Sequence, residues 1–251
     1  MSGEAKSRSS LVLPGMQEQL IKELVATGKP VVVLISAGRP LVFNWIADHV
    51  PAIVYTWWLG TEAGNAISDV LFGDYNPSGK LPMTFPRHEG QIPIYYNYYS
   101  TGRPFKNDSD FTYVTAYTDL PNSPRYPFGH GLSYTSFEYG AIQLSDTLLK
   151  TGKKIQAKIR VSNTGAYQGE EVVQLYIQDV TASLVRPVRE LKGFEKINLN
   201  PGESHEVVFT ISENELSFYN EQGKPTTETG LFHVFIGGSS QASQKASFTF
   251  L

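Results

Sequence analysis

The sequence predicts an α/β fold in its first half and an all-β fold in its second half. Residues 16–73 alternate helical periodicity with short β-branched runs, which is the pattern of a parallel sheet with crossover helices. From about Phe137 onward, apolar and polar residues alternate with period two, and turn residues recur at short intervals. We therefore predict an incomplete parallel α/β sheet followed by an antiparallel β-sandwich of immunoglobulin or fibronectin type.

Helix and strand signals alternate from the start of the first half. The segment MQEQLIKELVATGK carries its apolar side chains on one helical stripe, and Gly28 gives that helix a natural end. The segment PVVVLISAGRP is a continuous β-branched run, which predicts a strand buried on both faces. LVFNWIADHV then predicts a short helix, and AIVYTWW predicts a second buried strand.

A third helix is predicted over TEAGNAISDVLFG, with Thr61 as its cap, Glu62 at its positive end and Gly73 as its stop. Only KLPMTFP adds a further strand signal, and no strand precedes the first helix. We therefore expect that the chain begins partway through this domain. We also expect the sheet within residues 30–60 to expose an unpaired apolar edge.

The second half predicts a sandwich of short strands. KKIQAKIRVSNTG and EEVVQLYIQDV alternate apolar with polar residues, and the Pro201–Gly202 turn follows a further alternating run. GLFHVFIGG and ASFTFL complete the pattern, and the Cys…Trp…Cys signature of true immunoglobulin domains is absent. Phe194, Tyr176 and Phe235 are predicted to be core residues.

Composition excludes several classes of function. A net charge of −3 with scattered Lys and Arg predicts neither a nucleic-acid partner nor an anionic membrane surface. The chain has no cysteine, which excludes disulfides and thiolate chemistry, and GTEAGN lacks the Lys-Ser/Thr that a phosphate-binding loop requires. The histidines do not show the spacing of metal ligands, so we expect no metal and no cofactor: His49, His88, His130, His205 and His233.

An aromatic-rich segment joins the two halves over residues 95–134. It mixes aromatic residues with Pro, Gly, Asn and Asp, a composition too apolar for a free linker and too irregular for a regular element. We predict an ordered linker whose aromatic side chains fasten domains together. The candidates for this role are Tyr95, Tyr96, Tyr126 and Phe128.

Sequence segments distributed along the whole chain resemble one known family. SGEAKSRSSLVLPG, WWLGTEAGNAISDVLFGDYNPSGKLPMTFPR and YPFGHGLSYTSFEY resemble the C-terminal half of glycoside hydrolase family 3 β-glucosidases. VSNTGAYQGEEVVQLYIQD and RPVRELKGFEKINLNPGE are similar to the family's fibronectin type III-like domain. The resemblance implies a partial parallel α/β sandwich over residues 1–94, the linker over 95–134, and an antiparallel fibronectin type III-like β-sandwich over 135–251.

The resemblance also implies how the chemistry is divided. In this family an N-terminal barrel supplies an Asp nucleophile and most contacts to the sugar, and no residue of this chain matches either role. The expected partner is therefore a β-glucoside or oligosaccharide bound through that barrel. The resemblance implies a periplasmic or secreted full-length parent, as is often found in the family, but the chain shows no export signal, so its compartment stays unassigned.

Glu4, in MSGEA, matches the family's general acid/base on a mobile loop. Retaining hydrolysis requires two carboxyl groups about 5–5.5 Å apart, one of them a nucleophile and the other an acid and then a base. The resemblance implies that Glu4 is the second of these and that the chain alone is inactive or nearly so. The alternative is a non-catalytic carbohydrate- or protein-binding scaffold derived from such an enzyme.

Other residues near this motif have competing interpretations. Glu62 lies at a helix N-terminus, which favours the ionised carboxylate and therefore a capping or contact role over general acid catalysis. Arg8 would lower the pKa of Glu4 if the two paired, so we predict a structural role for Arg8. Trp57 and Trp58 end a strand, and we expect one ring to pack inward and the other outward, where it could stack on a sugar. His130 replaces a residue that is often Tyr in the family.

Overall fold

A computed structural model describes residues 5–105, 107–108 and 112–251 of the chain. Its first half contains the helices α1 (Gln17–Ala26), α2 (Asn44–His49) and α3 (Ala63–Phe72) and the strands β1 (Val32–Ile35) and β2 (Ala52–Tyr55). The two strands pair in parallel, with Val32 opposite Ala52. The predicted alternation of helices and parallel strands is therefore confirmed. No helix in the described parts of the chain is long and apolar enough to cross a membrane.

Glycine residues end two of these helices, as the sequence predicts. Gly28 follows α1 with a φ of +71°, and Gly73 caps α3 in the left-handed region with a φ of +87°. The predicted N-terminal cap of α3 is wrong. Glu62, not Thr61, occupies the cap position, and its side chain accepts a hydrogen bond from Asn65 Nδ2 at 2.5 Å rather than from the helix backbone.

The burial of β1 differs from the prediction. Val33 and Ile35 are buried in a core to which α1 and α2 contribute, but Val32 and Leu34 on the other face are exposed. The continuous apolar run suggested a strand covered on both sides, yet the described residues supply a covering layer on one side only. An apolar surface therefore stays open along β1.

The predicted third strand, KLPMTFP, does not form in the first half. Pro82 and Pro86 cannot donate backbone hydrogen bonds to a neighbouring strand, and the segment makes only an isolated bridge between Phe85 and Tyr126 of the linker. Phe85 is fully buried, and its ring lies 4.9 Å from the ring of Tyr55. The segment thus serves as core packing instead of sheet.

The second half is a sandwich of two sheets, as predicted. One sheet has the strand order β5 (Leu148–Leu149), β13 (Gln244–Phe250), β12 (Gly230–Gly237), β7 (Gly169–Asp179), β8 (Glu190–Leu199). In the other, β6 (Ile155–Asn163) pairs with β3 (Phe137–Tyr139), β4 (Gln143–Leu144) and β9 (Ser204–Ile211). All neighbours are antiparallel except β5 and β13. The short elements α4 (Glu213–Leu216), β10 (Phe218–Tyr219) and β11 (Pro225–Thr226) lie between β9 and β12.

Of the three predicted core residues of the sandwich, two are buried and one is not. Tyr176 and Phe235 are buried, but in a separate cluster beneath the linker and not between the sheets. Phe194 is 68% exposed, so its assignment to the core is wrong. Ile197 and Leu199 of the same strand point inward, and the two-residue period places Phe194 on the opposite face.

The linker fastens the two halves through most of the aromatic residues predicted for that role. Tyr96 stacks on Phe128 at 4.4 Å, and both rings pack against the cluster that contains Tyr176. Tyr126 packs instead against the core of the α/β half, next to Phe85. Tyr95 is exposed and takes no part in either cluster.

Candidate functional site

A groove opens where β1 and β2 end. The chain leaves β1 through residues 36–39 and leaves β2 through residues 57–60, and both turns lie at the carboxyl edge of the parallel pair. The groove has a volume of about 910 Å³, and its lining includes Lys6, Ser7, Arg8, Gly38, Arg39 and Trp58. Ligands of open α/β sheets bind at this edge. We refer to it as the strand-end groove.

Arg39 ties the N-terminal segment to the end of β1. Its guanidinium donates hydrogen bonds to Ser7 Oγ at 3.2 Å and to the carbonyl oxygen of Ser10 at 3.3 Å. Arg8 donates to the carbonyl oxygen of Val12 at 3.3 Å, so it closes a turn within its own segment. The residues after Glu4 are thereby held along one wall of the strand-end groove.

Glu89 also holds the same segment in place. Its carboxylate accepts hydrogen bonds from Ser10 Oγ at 2.7 Å and from the backbone amide of Leu11. These hydrogen bonds, with the Ser10 bond first, lower the pKa of Glu89, because they favour its ionised form. The carboxylate is therefore a fixed anchor for the segment and not a proton donor at neutral pH.

The two tryptophans at the end of β2 separate as predicted. Trp57 packs inward, with its ring 4.9 Å from that of Tyr55, whereas Trp58 is 69% exposed at the rim of the groove. Trp57 has a φ of +54°, and this left-handed conformation ends the strand. Trp58 lies over Gly38, where an added Cβ would sit 3.0 Å from the indole ring, so a side chain at Gly38 would require the indole to shift by a few tenths of an ångström.

The other predicted residues fall at different places. Glu4 lies outside the described residues, which begin at Ala5. Glu62 does not line the strand-end groove, and its partner is Asn65. His130 stacks on Tyr126 at 5.0 Å, and burial followed by the charge of Lys80 lowers the pKa of His130. Among the described residues, no group of three or more His, Asp or Glu side chains could hold a metal ion.

Sequence reasoning missed Arg39 and Glu89. Each acts on the N-terminal segment over a long separation, which is 78 positions along the chain for Glu89 and Leu11. No local spacing pattern signals a contact of that kind. Only the fold brings these side chains to the segment.

The fold agrees with what comparison with known proteins shows. Residues 1–134 match the Glycosyl hydrolase family 3 C-terminal domain, and residues 171–240 match the Fibronectin type III-like domain. The chain therefore belongs to glycosyl hydrolase family 3 and corresponds to the C-terminal part of its β-glucosidases. The resemblance and the fold class predicted from the sequence are confirmed.

Individual relatives match along essentially the whole chain. The periplasmic beta-glucosidase of Salmonella typhimurium is 49% identical over 251 residues, which are 100% of this chain and 33% of that protein. A beta-xylosidase of Formosa agariphila is 41% identical over 244 residues, or 96% of this chain and 32% of that protein. The crystal structure of a beta-glucosidase from Listeria innocua in complex with glucose superposes with a TM-score of 0.94 and 43% identity, over 99% of this chain and 34% of that chain.

The chain thus spans about a third of the length of the relatives it matches. The acid/base role of Glu4 and the domain boundaries at residues 94 and 134 stay predictions.

Proposed function

We propose that the chain is the C-terminal part of a β-glucosidase that hydrolyses terminal non-reducing β-D-glucosyl residues with retention of configuration. The observation that carries this proposal is the identity of 49% along the whole chain with a protein named as a beta-glucosidase. A second line of support comes from structure, since the chain superposes with a TM-score of 0.94 on a beta-glucosidase solved in complex with glucose. The substrate is a β-glucoside or an oligosaccharide with such an end.

In this proposal Glu4 is the general acid/base and the nucleophile lies outside this chain. In the first step the Glu4 carboxyl proton moves to the glycosidic oxygen while the bond from C1 to that oxygen breaks, and the nucleophilic carboxylate forms an ester with C1. In the second step the Glu4 carboxylate takes a proton from water, the water oxygen attacks C1, and the ester breaks. Both protons are thus accounted for by one side chain.

The surroundings of the N-terminal segment support this role. Arg39 and Glu89 fix residues 7–11 on the carboxyl edge of the sheet, whereas Gly3 and Ala5 flank Glu4 with small side chains. The first described residue, Ala5, has a φ of +56°, so the chain turns there. This arrangement suits an acid/base, because the hydrogen bonds that hold residues 7–11 set the position of the segment that carries Glu4.

A chimera tests the proposal. The matching third of the Salmonella typhimurium protein is replaced by the 251-residue chain, and hydrolysis of aryl β-glucosides is measured. We expect Glu4→Gln to lower kcat/KM by about 10²–10⁴ for a poor leaving group such as phenol, the range of general acid catalysis. The loss should be much smaller for 2,4-dinitrophenol, which leaves without protonation. Azide should rescue Glu4→Ala and yield a β-glucosyl azide.

Glu62→Gln is the matched control. It removes a carboxylate from the same half of the chain without touching the strand-end groove, so activity should stay within about twofold of the parent chimera. A chimera that loses no activity when Glu4 becomes Gln would refute the acid/base assignment. Ordinary turnover of a β-glucoside by the 251-residue chain alone would refute the proposal that the nucleophile lies elsewhere.

Hydrolysis of β-xylosides is a second candidate, favoured by the 41% identity with a beta-xylosidase. The described residues of this chain do not decide between the two sugars, since the family resemblance places most sugar contacts in the barrel. Comparing 4-nitrophenyl β-glucoside with 4-nitrophenyl β-xyloside, on the full product of the gene that encodes this chain, separates them. A higher kcat/KM for the xyloside would replace the glucosidase proposal.

A further inference from the structure

A second groove lies at the junction between the end of α3 and the sandwich. It has a volume of about 980 Å³ and shares no lining residue with the strand-end groove. Three separate parts of the chain form it: residues 72–76, Tyr134 of the linker, and the sandwich strands. We refer to it as the junction groove, and the residues that matter for its chemistry are Phe72, Tyr75, Tyr134, Tyr167, Glu170 and Lys196.

Four aromatic side chains surround this groove and stay accessible to solvent. Phe72 is 81% exposed and Tyr167 is 63% exposed, and the rings of Tyr75 and Tyr134 are about half exposed. Single exposed aromatic residues are common on protein surfaces, but several that line one concave site can together form a surface for a ligand. The junction groove therefore offers several flat apolar surfaces to one ligand.

Hydrogen bonds fix two of these rings. The hydroxyl of Tyr134 donates to the carbonyl oxygen of Val70 at 2.6 Å, and the hydroxyl of Tyr75 donates to Glu170 Oε2 at 2.9 Å. Each ring is thus held at its polar end while part of its surface remains open. A ligand that stacks on such a ring binds with little loss of side-chain conformational entropy, because the ring is already ordered.

Asn76 joins the three parts of the wall to one another. Its Nδ2 donates to the carbonyl oxygen of Gln168 at 2.9 Å, and its Oδ1 accepts from Ser133 Oγ at 2.9 Å and from the backbone amide of Tyr134 at 2.8 Å. One side chain therefore sets the spacing between the end of α3, the linker and the sandwich. The shape of the groove is built into the fold.

Polar groups lie between the rings. Lys196 and Glu170 form an ion pair at 2.7 Å, and hydrogen bonds from Lys196 and then Tyr75 lower the pKa of Glu170. Asp74 and Asn198 are exposed in the same lining. Two carboxylates beside a single lysine disfavour a phosphate chain, and charged groups at the contact disfavour a purely apolar partner surface. The combination suits a ligand that has flat C–H faces and many hydroxyl groups.

We propose that the junction groove binds a saccharide chain, with pyranose rings stacked on Phe72 and Tyr167 and hydroxyl groups bonded to Asp74, Lys196 and Asn198. The choice of a β-glucan as the first ligand to test rests on the proposed function. Binding in this groove does not depend on catalysis or on any residue of the strand-end groove. It would hold an oligosaccharide to the protein through the C-terminal part.

Calorimetric titration of the 251-residue chain with laminarihexaose, cellohexaose and xylohexaose tests the proposal. We expect saturable binding of a hexasaccharide, and Phe72→Ala or Tyr167→Ala should each weaken it by about tenfold, the scale known for removing one aromatic stacking partner. Tyr219→Ala is the matched control, because the exposure of Tyr219 lies between those of Phe72 and Tyr167 but Tyr219 does not line the groove. Circular dichroism verifies that each variant is folded.

The possible results separate the two proposals. Binding of xylohexaose alone, lost in Phe72→Ala and Tyr167→Ala, would support the groove and count against glucosyl preference. The groove proposal is overturned if no hexasaccharide binds, if both variants bind as wild type does, or if Tyr219→Ala is weakened equally. It is also overturned if the variants change the sedimentation coefficient of the chain but not saccharide titration, since the groove would then be a contact between two copies.

Discussion

Lys80 and Glu171 join the α/β half to the sandwich in a buried ion pair, and breaking it should destabilise the chain substantially. Lys80 Nζ lies 3.1 and 3.0 Å from the two carboxylate oxygens of Glu171, and the side chains are only 15% and 7% exposed. The hydroxyl of Tyr139 donates to the same carboxylate at 2.7 Å. Burial, followed by the charge of Glu171, raises the pKa of Tyr139, so this phenol stays a neutral donor.

Lys80→Met keeps the length of the side chain but leaves the Glu171 carboxylate buried without its cation. Removing one partner of a buried pair costs about 3–5 kcal/mol. Because the hydrogen bond from Tyr139 remains and Lys80 is partly exposed, we expect a cost of about 3 kcal/mol. For a chain of this size that corresponds to a fall in Tm of about 6–12 °C. Urea unfolding, followed by circular dichroism and by tryptophan fluorescence, measures the loss.

Lys158→Met is the matched control. Lys158 and Glu206 form a similar pair at 3.5 Å, but their side chains are 38% and 53% exposed, so the expected cost is below about 1 kcal/mol. The double variant Lys80→Met/Glu171→Gln should recover at least half of the stability that Lys80→Met loses, because no uncompensated charge remains. If Lys80→Met costs no more than Lys158→Met, the reasoning from burial is wrong.

Two further perturbations test the anchor of the N-terminal segment and the turns of the chain. Glu89→Gln should destabilise the chain at neutral pH, because hydrogen bonds, chiefly from Ser10, lower the pKa of Glu89. A pKa lowered on folding adds stability above the unfolded pKa, and this is lost as pH falls through the folded pKa. The difference in unfolding free energy from wild type should therefore be constant near neutral pH and shrink as pH falls below the ordinary glutamate pKa of about 4.3. Gly165→Ala should cost about 1–3 kcal/mol of unfolding free energy, because its Cβ would lie 2.7 Å from the Ser136 amide nitrogen. Gly64 in α3 has open space around it, so Gly64→Ala should be neutral or stabilise the helix by up to about 1 kcal/mol. Thermal unfolding measures both variants.

The results that would contradict these expectations differ between the two tests. A stability difference for Glu89→Gln that stays constant with pH would show that the carboxylate charge does not matter to the segment. Equal melting temperatures for the two glycine variants would show that the backbone around Gly165 adjusts without cost.

The parts of the fold that depend on local chemistry could be predicted from the sequence. Gly28 and Gly73 end their helices because each position needs a left-handed backbone. A glycine directly after a helical apolar pattern signals this need in the sequence. The burial of β1 could not be predicted, because an apolar run does not reveal whether a second covering layer is present. Phe194 was placed wrongly because its face depends on the register of the strand, which short runs do not determine.

The candidate site was predictable only through resemblance. Glu4 by itself is an ordinary acidic residue near the start of the sequence, and the motifs around it, not its spacing, suggest its chemistry. Arg39 and Glu89 could not be found in this way, because their role depends on contacts across many residues. The aromatic residues of the junction groove are spread over three segments that only the fold brings together.

The stacked pair of Tyr96 and Phe128 has a consequence for how this protein can change. The ends of the segment between them lie close together in space, because the rings of Tyr96 and Phe128 are 4.4 Å apart. Residues added inside this segment, away from the contacts of Tyr126 with the α/β core, therefore leave the stacked pair in place, and the entropic cost of a longer segment rises only with the logarithm of its length. Residues could therefore be inserted in this segment, in evolution or by design, to contact a new surface or carry a new epitope while both domains keep their fold.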